Sequence, residues 1–237
     1  MKPPEPGSSP PTPASARIVF PGDRLPLAKR YAGFLATDGV VRGLIGPREG
    51  PRLWERHLLN CAVLGELVPA DATVCDIGSG AGLPGLVLAI ARPDLRVTLV
   101  EPLLRRTTFL DEVIAELGLG NVEVHRSRAE DLHGARTFDI VTSRAVAPLE
   151  RLLGWSMPLV GPDGALAAMK GSSAAEEIQA ATKALRKLGC APPEIHVLGE
   201  DLTDSPTTAI RVAWAEPARV RLARPAEASS KRRRPRR

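Results

Sequence analysis

The sequence predicts an α/β fold built on a mostly parallel sheet with helices on both faces. Three observations carry that prediction. From residue 72 onward, short apolar runs alternate with longer stretches of helical periodicity. The first of these runs passes directly into four glycines within eight residues and then into a helical stretch. Aromatic residues make up only 3 % of the chain against 43 % hydrophobic residues, so the core has to be built from Leu, Val, Ile and Ala.

The elements follow in order. Residues 1–16 carry Pro3, Pro4, Pro6, Pro10, Pro11 and Pro13 among Ser and Gly, the composition of a disordered leader. Residues 17–70 read as a small helical extension. In it Leu27, Tyr31, Phe34 and Leu35 recur at helical spacing, and Leu53, Trp54, Leu58, Val63, Leu64 and Leu67 form a second apolar face. The main domain is expected over residues 71–216. Its strands are predicted at 72–77, 96–101, 121–126, 138–143, 163–169, 194–198 and 207–214, with helices at 84–91, 104–117, 148–159 and 173–188. Gly118 and Gly189 suit helix C-terminal stops. The last two strands have only a short connection, which includes Pro206, and that favours an antiparallel pair at the end of the sheet. Residues 217–237 read as a basic, disordered tail. The net charge is +5, but Lys231 to Arg237 carry six positive charges, and the rest of the chain is left at −1. The folded part is thus close to neutral, while the tail attracts polyanions without reading sequence.

Composition also excludes. Cys61, Cys75 and Cys190 form no CxxC and have no His at metal-ligand spacing, so reduced, buried thiols and no metal are expected. No apolar run approaches the roughly 18 residues of a membrane span. Prolines stand where a signal peptide would have its apolar stretch. A cytoplasmic protein follows by elimination.

The sharpest chemical signal is Asp76-Ile-Gly78-Ser-Gly80-Ala-Gly82-Leu-Pro84-Gly85. Glycines in a strand-to-helix turn let the backbone approach a nucleotide or nucleoside closely. Gly80 to Gly85 fits GxGxxG, so a dinucleotide is a rival ligand. Two residues weigh against it. Asp76 would set a carboxylate at the mouth of the loop, repelling a pyrophosphate. Pro84 has no N–H to give at the start of the helix. S-adenosylmethionine carries a sulfonium and an ammonium in place of phosphates, and an acidic loop suits it. Glu101 closes the second strand, 21 residues after Gly80, where a carboxylate accepts hydrogen bonds from ribose hydroxyls of either ligand.

The glycine loop resembles that of the bacterial small-subunit (16S) ribosomal RNA guanine-N7 methyltransferases, the glucose-inhibited division protein B family. So do Arg56-His-Leu-Leu-Asn60, Arg105-Arg-Thr-Thr-Phe-Leu110, Ser127-Arg-Ala-Glu130, Ser143-Arg-Ala145 and Lys170-Gly171. The likeness runs from about residue 24 to about residue 215. It implies a seven-stranded, Rossmann-like class I S-adenosylmethionine-dependent methyltransferase fold behind a small N-terminal helical extension. It also implies S-adenosylmethionine as methyl donor and 16S ribosomal RNA of the small subunit as substrate. By matching position, the cofactor contacts fall on Gly78, Leu83, Ala129, Glu130 and Arg144, and Asp76, Gly80 and Glu101 match the motif as well. Two positions depart from the family. The second-strand carboxylate, often Asp, is Glu101, and the Lys-Arg that follows is Arg105-Arg106.

The residues also bear on the chemistry. Exocyclic amine methylation commonly uses an Asn/Asp-Pro-Pro-aromatic loop after the fourth strand, and this chain has Ser143-Arg-Ala-Val-Ala-Pro148 there. Pyrimidine C5 methylation needs a nucleophilic Cys, and none lies at a strand end. Guanine N7 has an in-plane lone pair and no proton to lose, so direct transfer needs positioning and no general base. Arg144 stands at the carboxyl end of the fourth strand, as a cofactor neighbour or a grip on the target nucleotide, or else as a surface charge. Glu130 suits an acceptor for the adenine amino group or a solvated loop charge. Arg56, His57, Arg105, Arg106 and Lys170 are candidates to face RNA, each with a solvated or structural alternative. Trp54, Trp155 and Trp214 read as core. Rival functions are an NAD-dependent oxidoreductase on the same loop and a non-catalytic RNA-binding ribosome-assembly factor. A monomer is expected.

Overall fold

The computed structural model describes residues 11–220. Residues 1–10 of the leader expected over 1–16, and residues 221–237 of the tail expected over 217–237, lie outside the described residues, while Pro217–Arg219 form an exposed 3₁₀ turn. In chain order the elements are α1 (Ala16–Val19), α2 (Arg24–Phe34), α3 (Asn60–Ala62), β1 (Thr73–Ile77), α4 (Gly85–Ala91), β2 (Arg96–Val100), α5 (Leu104–Leu117) and β3 (Val122–His125). There follow β4 (Phe138–Arg144), α6 (Leu149–Ser156), β5 (Val160–Lys170), α7 (Ala174–Leu188), β6 (Glu194–Leu198) and β7 (Thr207–Ala213). One seven-stranded sheet has the order β3-β2-β1-β4-β5-β7-β6. The first five strands are parallel, and β7 is antiparallel to both β5 and β6.

The strands that carry the site are buried on both faces and hold apolar residues on each side, Val74, Val97, Leu99 and Ile140 on one and Cys75, Val100 and Val141 on the other. On one face, α2, α4 and α5 share a core with the sheet, drawing on Tyr31, Leu58, Leu86, Leu99 and Phe109. On the other, α6 and α7 cover Cys75, Val141, Leu166 and Ile210. The helical extension has no core of its own: its buried side chains belong to the first of these clusters.

Four expectations need correction. The apolar stripe of α2 is Leu25, Ala28, Tyr31 and Ala32, continuing to Leu35, while Leu27 and Phe34 are half-buried. The stretch 35–67 is not regular α-helix. Gly39, Gly43, Gly46, Pro47, Gly50 and Pro51 break it into π and 3₁₀ turns around the short α3. Residues 13–16, counted with the leader, turn into α1 and bury Ala16 completely. At the other end of the sheet, β5 starts three residues early. Its first residue pairs Phe138↔Val160, then the register slips to Ile140↔Ala165, a bulge hidden in the sequence by Gly161, Pro162 and Gly164.

Candidate active site

Strand order reverses between β1 and β4, which opens a crevice at their carboxyl ends, where ligands bind in open α/β sheets. A cavity of about 650 Å³ fills the crevice. Gly78, Ser79, Gly80, Ala81 and Leu83 form its floor. Glu101, Pro102 and Leu103 follow from β2, Ala129 and Glu130 from the turn after β3, and Arg144, Ala145 and Val146 from the end of β4. Leu44 and Ile45 close it from the helical extension, and Arg151 and Trp155 from α6.

The glycine loop is held from behind. The Gly78 and Ser79 N–H groups donate to the Val100 carbonyl at 2.8 and 3.2 Å, which ties the loop to β2. Tyr31 Oη, fully buried, donates to the Ala81 carbonyl at 2.7 Å and ties it to the extension. Asp76 Oδ2 accepts the Gly85 N–H at 3.0 Å. A Cβ on Gly85 would meet Leu99 Cδ2 at 2.4 Å and Asp76 Oδ2 at 2.8 Å, so only glycine fits that contact.

Asp76 therefore stands elsewhere than its sequence position suggested. It is fully buried behind the loop and is absent from the cavity wall. Burial raises its carboxyl pKa to about 7, against the pull of the Gly85 N–H. The wall is not acidic either, since Arg106, Arg128, Arg144 and Arg151 line it beside Glu101 and Glu130. Asp76 Oδ2 instead occupies the first N–H of α4, the kind of group a diphosphate would use. In the cavity wall itself, Arg106 Nε has no hydrogen-bond partner, an unmet donor of the kind a polar ligand satisfies.

Glu101 is fully buried at the cavity edge. Its carboxylate accepts from the Gly80 N–H and the Leu103 N–H, each at 3.0 Å, and from Arg106 at 3.2 Å. Arg106 is thus the counterion of Glu101 and not a free hand for RNA phosphate. Arg105 is exposed and lines neither the first cavity nor the second.

A second cavity, of about 980 Å³, adjoins the first. Both are lined by Arg144, Ala145 and Val146. Arg56, His57 and Asn60 come to the second from the extension, Lys170, Gly171 and Ser172 from the end of β5, and Thr207 and Thr208 from β7. Lys170 is not a free cation. Its ammonium donates to the Ala147 carbonyl at 2.8 Å and Glu177 at 2.7 Å, and the side chain is only 9 % exposed. Arg56 pairs with Glu49 at 3.6 Å and stays largely exposed. His57 is 8 % exposed and lies between Glu49 Oε2 and an Arg144 Nη, each at 2.9 Å. Burial first, and the Arg144 charge second, lower its pKa to about 4. His57 is thus a neutral internal linker and does not face RNA as a cation.

The cavity brings together Gly78, Gly80, Leu83, Glu101, Ala129, Glu130 and Arg144, as the sequence predicts, and leaves out Asp76. Trp155 packs against the second core cluster, as its sequence reading as core expects, and also lines the cavity with the Arg151 guanidinium 4.8 Å from its ring centroid. Trp54 is buried and Trp214 half-buried. The helical periodicity of α6 holds no sign that its Trp155 end faces a ligand, because the same spacing serves core burial.

Against known proteins, a family profile described as GidB, rRNA small subunit methyltransferase G, matches residues 24–204. A ribosomal RNA small subunit methyltransferase G from a Nocardioides species is 70 % identical over 212 residues, covering 90 % of this chain and 85 % of that protein. Among solved structures, a precorrin-6y C5,15-methyltransferase from Geobacter metallireducens is similar at TM-score 0.51 and 16 % identity, over 66 % of this chain and 88 % of that one. A ribosomal protein L11 methylase from Lactobacillus delbrueckii subsp. bulgaricus is similar at TM-score 0.51 and 14 % identity, over 66 % and 76 %. These two likenesses show the fold, that of class I methyltransferases.

Proposed function

The chain belongs to the GidB family, rRNA small subunit methyltransferase G, and from that premise we propose that it transfers a methyl group from S-adenosylmethionine to guanine N7 in 16S ribosomal RNA. The observation that carries the choice of N7 is the state of the second cavity. His57 spends both ring nitrogens on Glu49 and Arg144, and Lys170 and Glu177 neutralise each other. Arg56 and Arg144 only donate. No side chain in that wall is left as a general base, and N7 has no proton to remove.

The residues of the first cavity fit the methyl donor. Glu101 offers a carboxylate to ribose hydroxyls, and the turn at Ala129 and Glu130 offers acceptors to an adenine amino group. Bound there, S-adenosylmethionine supplies an electrophilic methyl group on sulfur. The open glycine loop lets the ligand lie against backbone, and the Arg144-Ala145-Val146 corner sets the boundary between the cavities. Ala145 holds φ +54° at that corner, an uncommon conformation for a residue with a side chain. Rate then comes from alignment in a pocket that Leu44, Ile45 and Val146 keep dry.

Exposed Arg56 and Arg105 are proposed to meet RNA phosphate, and the extension over residues 17–70 acts with the 71–216 domain as one catalytic unit. No helix among the described residues is long and apolar enough to cross a membrane. A ribosomal substrate makes the cytoplasm the working compartment, and the protein is taken to act as a monomer.

The test is incubation with labelled methyl donor and undermethylated small ribosomal subunits or naked 16S RNA, followed by mapping of the modified base. A single guanine carrying an N7 methyl group is the expected result. Label on an exocyclic amine, on a pyrimidine carbon or on protein would overturn the reading.

A further inference from the structure

Arg144 touches both cavities, yet its position is not set by β4 alone. One Nη donates to His57 Nδ1 at 2.9 Å, the other to the Arg56 carbonyl at 3.3 Å and toward Cys61 Sγ at 3.6 Å. All three partners come from the helical extension, more than eighty residues earlier in the chain. A guanidinium only donates, so His57 Nδ1 must be the acceptor. The proton of the neutral ring then sits on Nε2 and is donated to Glu49 Oε2 at 2.9 Å. The low pKa of about 4 agrees with this tautomer being kept at neutral pH. The ring is nearly enclosed, and Glu49 is itself held by Arg56 at 3.6 Å.

We propose that His57, oriented by Glu49, is a positioning residue that fixes the Arg144 guanidinium in the wall shared by the two cavities, so that methyl donor and target base stay aligned for transfer. The inference rests on the methyltransferase reading above and adds the role of the extension, which acts through Arg144 without touching the reacting atoms. Aligning two reactants accelerates transfer without tightening the binding of either one, so the defect belongs in kcat.

The experiment compares His57→Asn with His57→Phe in the full chain. Asn can place its amide oxygen where Nδ1 stands and keeps an acceptor for Arg144, while Phe keeps the ring volume and offers none. The expected result is a fall in kcat of about tenfold or more in H57F, with the affinities for S-adenosylhomocysteine and RNA changed less than about threefold. H57N is expected to recover most of kcat. Crystal structures of the two variants supply a readout that needs no activity: Arg144 should leave the Arg56 carbonyl in H57F and keep it in H57N. Equal kcat loss in both variants, or an unmoved Arg144 in H57F, would overturn the proposal. If the unaltered protein methylates no RNA at all, the functional reading fails instead, and the two structures still decide the role of His57.

Discussion

The two cavities are built in different ways. The floor of the first comes from one stretch, the turn from β1 into α4, with walls from short segments after β2, β3 and β4 and from Leu44, Ile45, Arg151 and Trp155. The second gathers short pieces from the extension, β4, β5 and β7, and its ionisable side chains are paired with one another. A backbone cradle for a small cofactor can be written locally, because a few φ angles and missing Cβ atoms define it. A pocket that holds a macromolecule's base in line with that cofactor needs walls from many elements, fixed by charge pairing across long separations.

The sharpest way to break this contrast is at Gly85. In Gly85→Val the new side chain collides with Leu99 and Asp76, and the strain is expected to cost about 1–3 kcal/mol or more of stability. Cofactor affinity, measured by calorimetry, should fall about tenfold or more. Unchanged affinity would mean that the loop does not hold the cofactor. In the second cavity, Lys170→Met leaves Glu177 and the Ala147 carbonyl without their cation, at an expected cost of about 1–3 kcal/mol in denaturant unfolding. The salt dependence of RNA binding should stay as it is, since Lys170 is already paired. A shallower salt slope would return it to the RNA interface.

Asp76 and His57 sharpen the comparison through pH. The folded pKa of Asp76 is raised to about 7 from 3.8, so its contribution to stability is full below pH 3.8 and is lost as pH rises through about 7. In Asp76→Asn that loss disappears, so the stability of the variant relative to the parent should climb across pH 4 to 7 and level off above. Each unit inside that window carries about 1.4 kcal/mol. A flat difference would place a charged carboxylate in the folded protein near neutral pH. His57 has the opposite sign: its pKa is lowered to about 4 from 6.5, so its contribution is full above pH 6.5 and is lost as pH falls toward 4. The smallest expected effect is at Trp155. Cofactor titration should change its fluorescence, and Trp155→Phe should abolish that signal while affinity shifts less than about threefold. A signal that survives in the variant would remove Trp155 from the cavity wall.

Much of this was legible beforehand, and the misses share a cause. The strand pattern reads directly because β1, β2 and β4 are buried on both faces and each carries apolar residues on both sides of the sheet. Gly118 and Gly189 stop their helices with φ +64° and +75°, a conformation that glycine adopts most readily. Asp76 and Lys170 stand elsewhere than the sequence suggests because a residue at the right place in the chain can point to either side of the backbone, and its partner, Gly85 or Glu177, decides which.

The amino-acid order by itself determined the element sequence, the glycine cradle, the place of Glu101 at the end of β2 and the family, since each depends on local conformational preference or on patterns a few residues long. Only the tertiary structure decided that the extension grips the catalytic face, through Tyr31 on Ala81 and His57 on Arg144. Those contacts join residues 50 and 87 positions apart. They exist because packing the extension against α4 brings buried polar groups within reach, and a buried polar group without a partner is too costly to leave unmet.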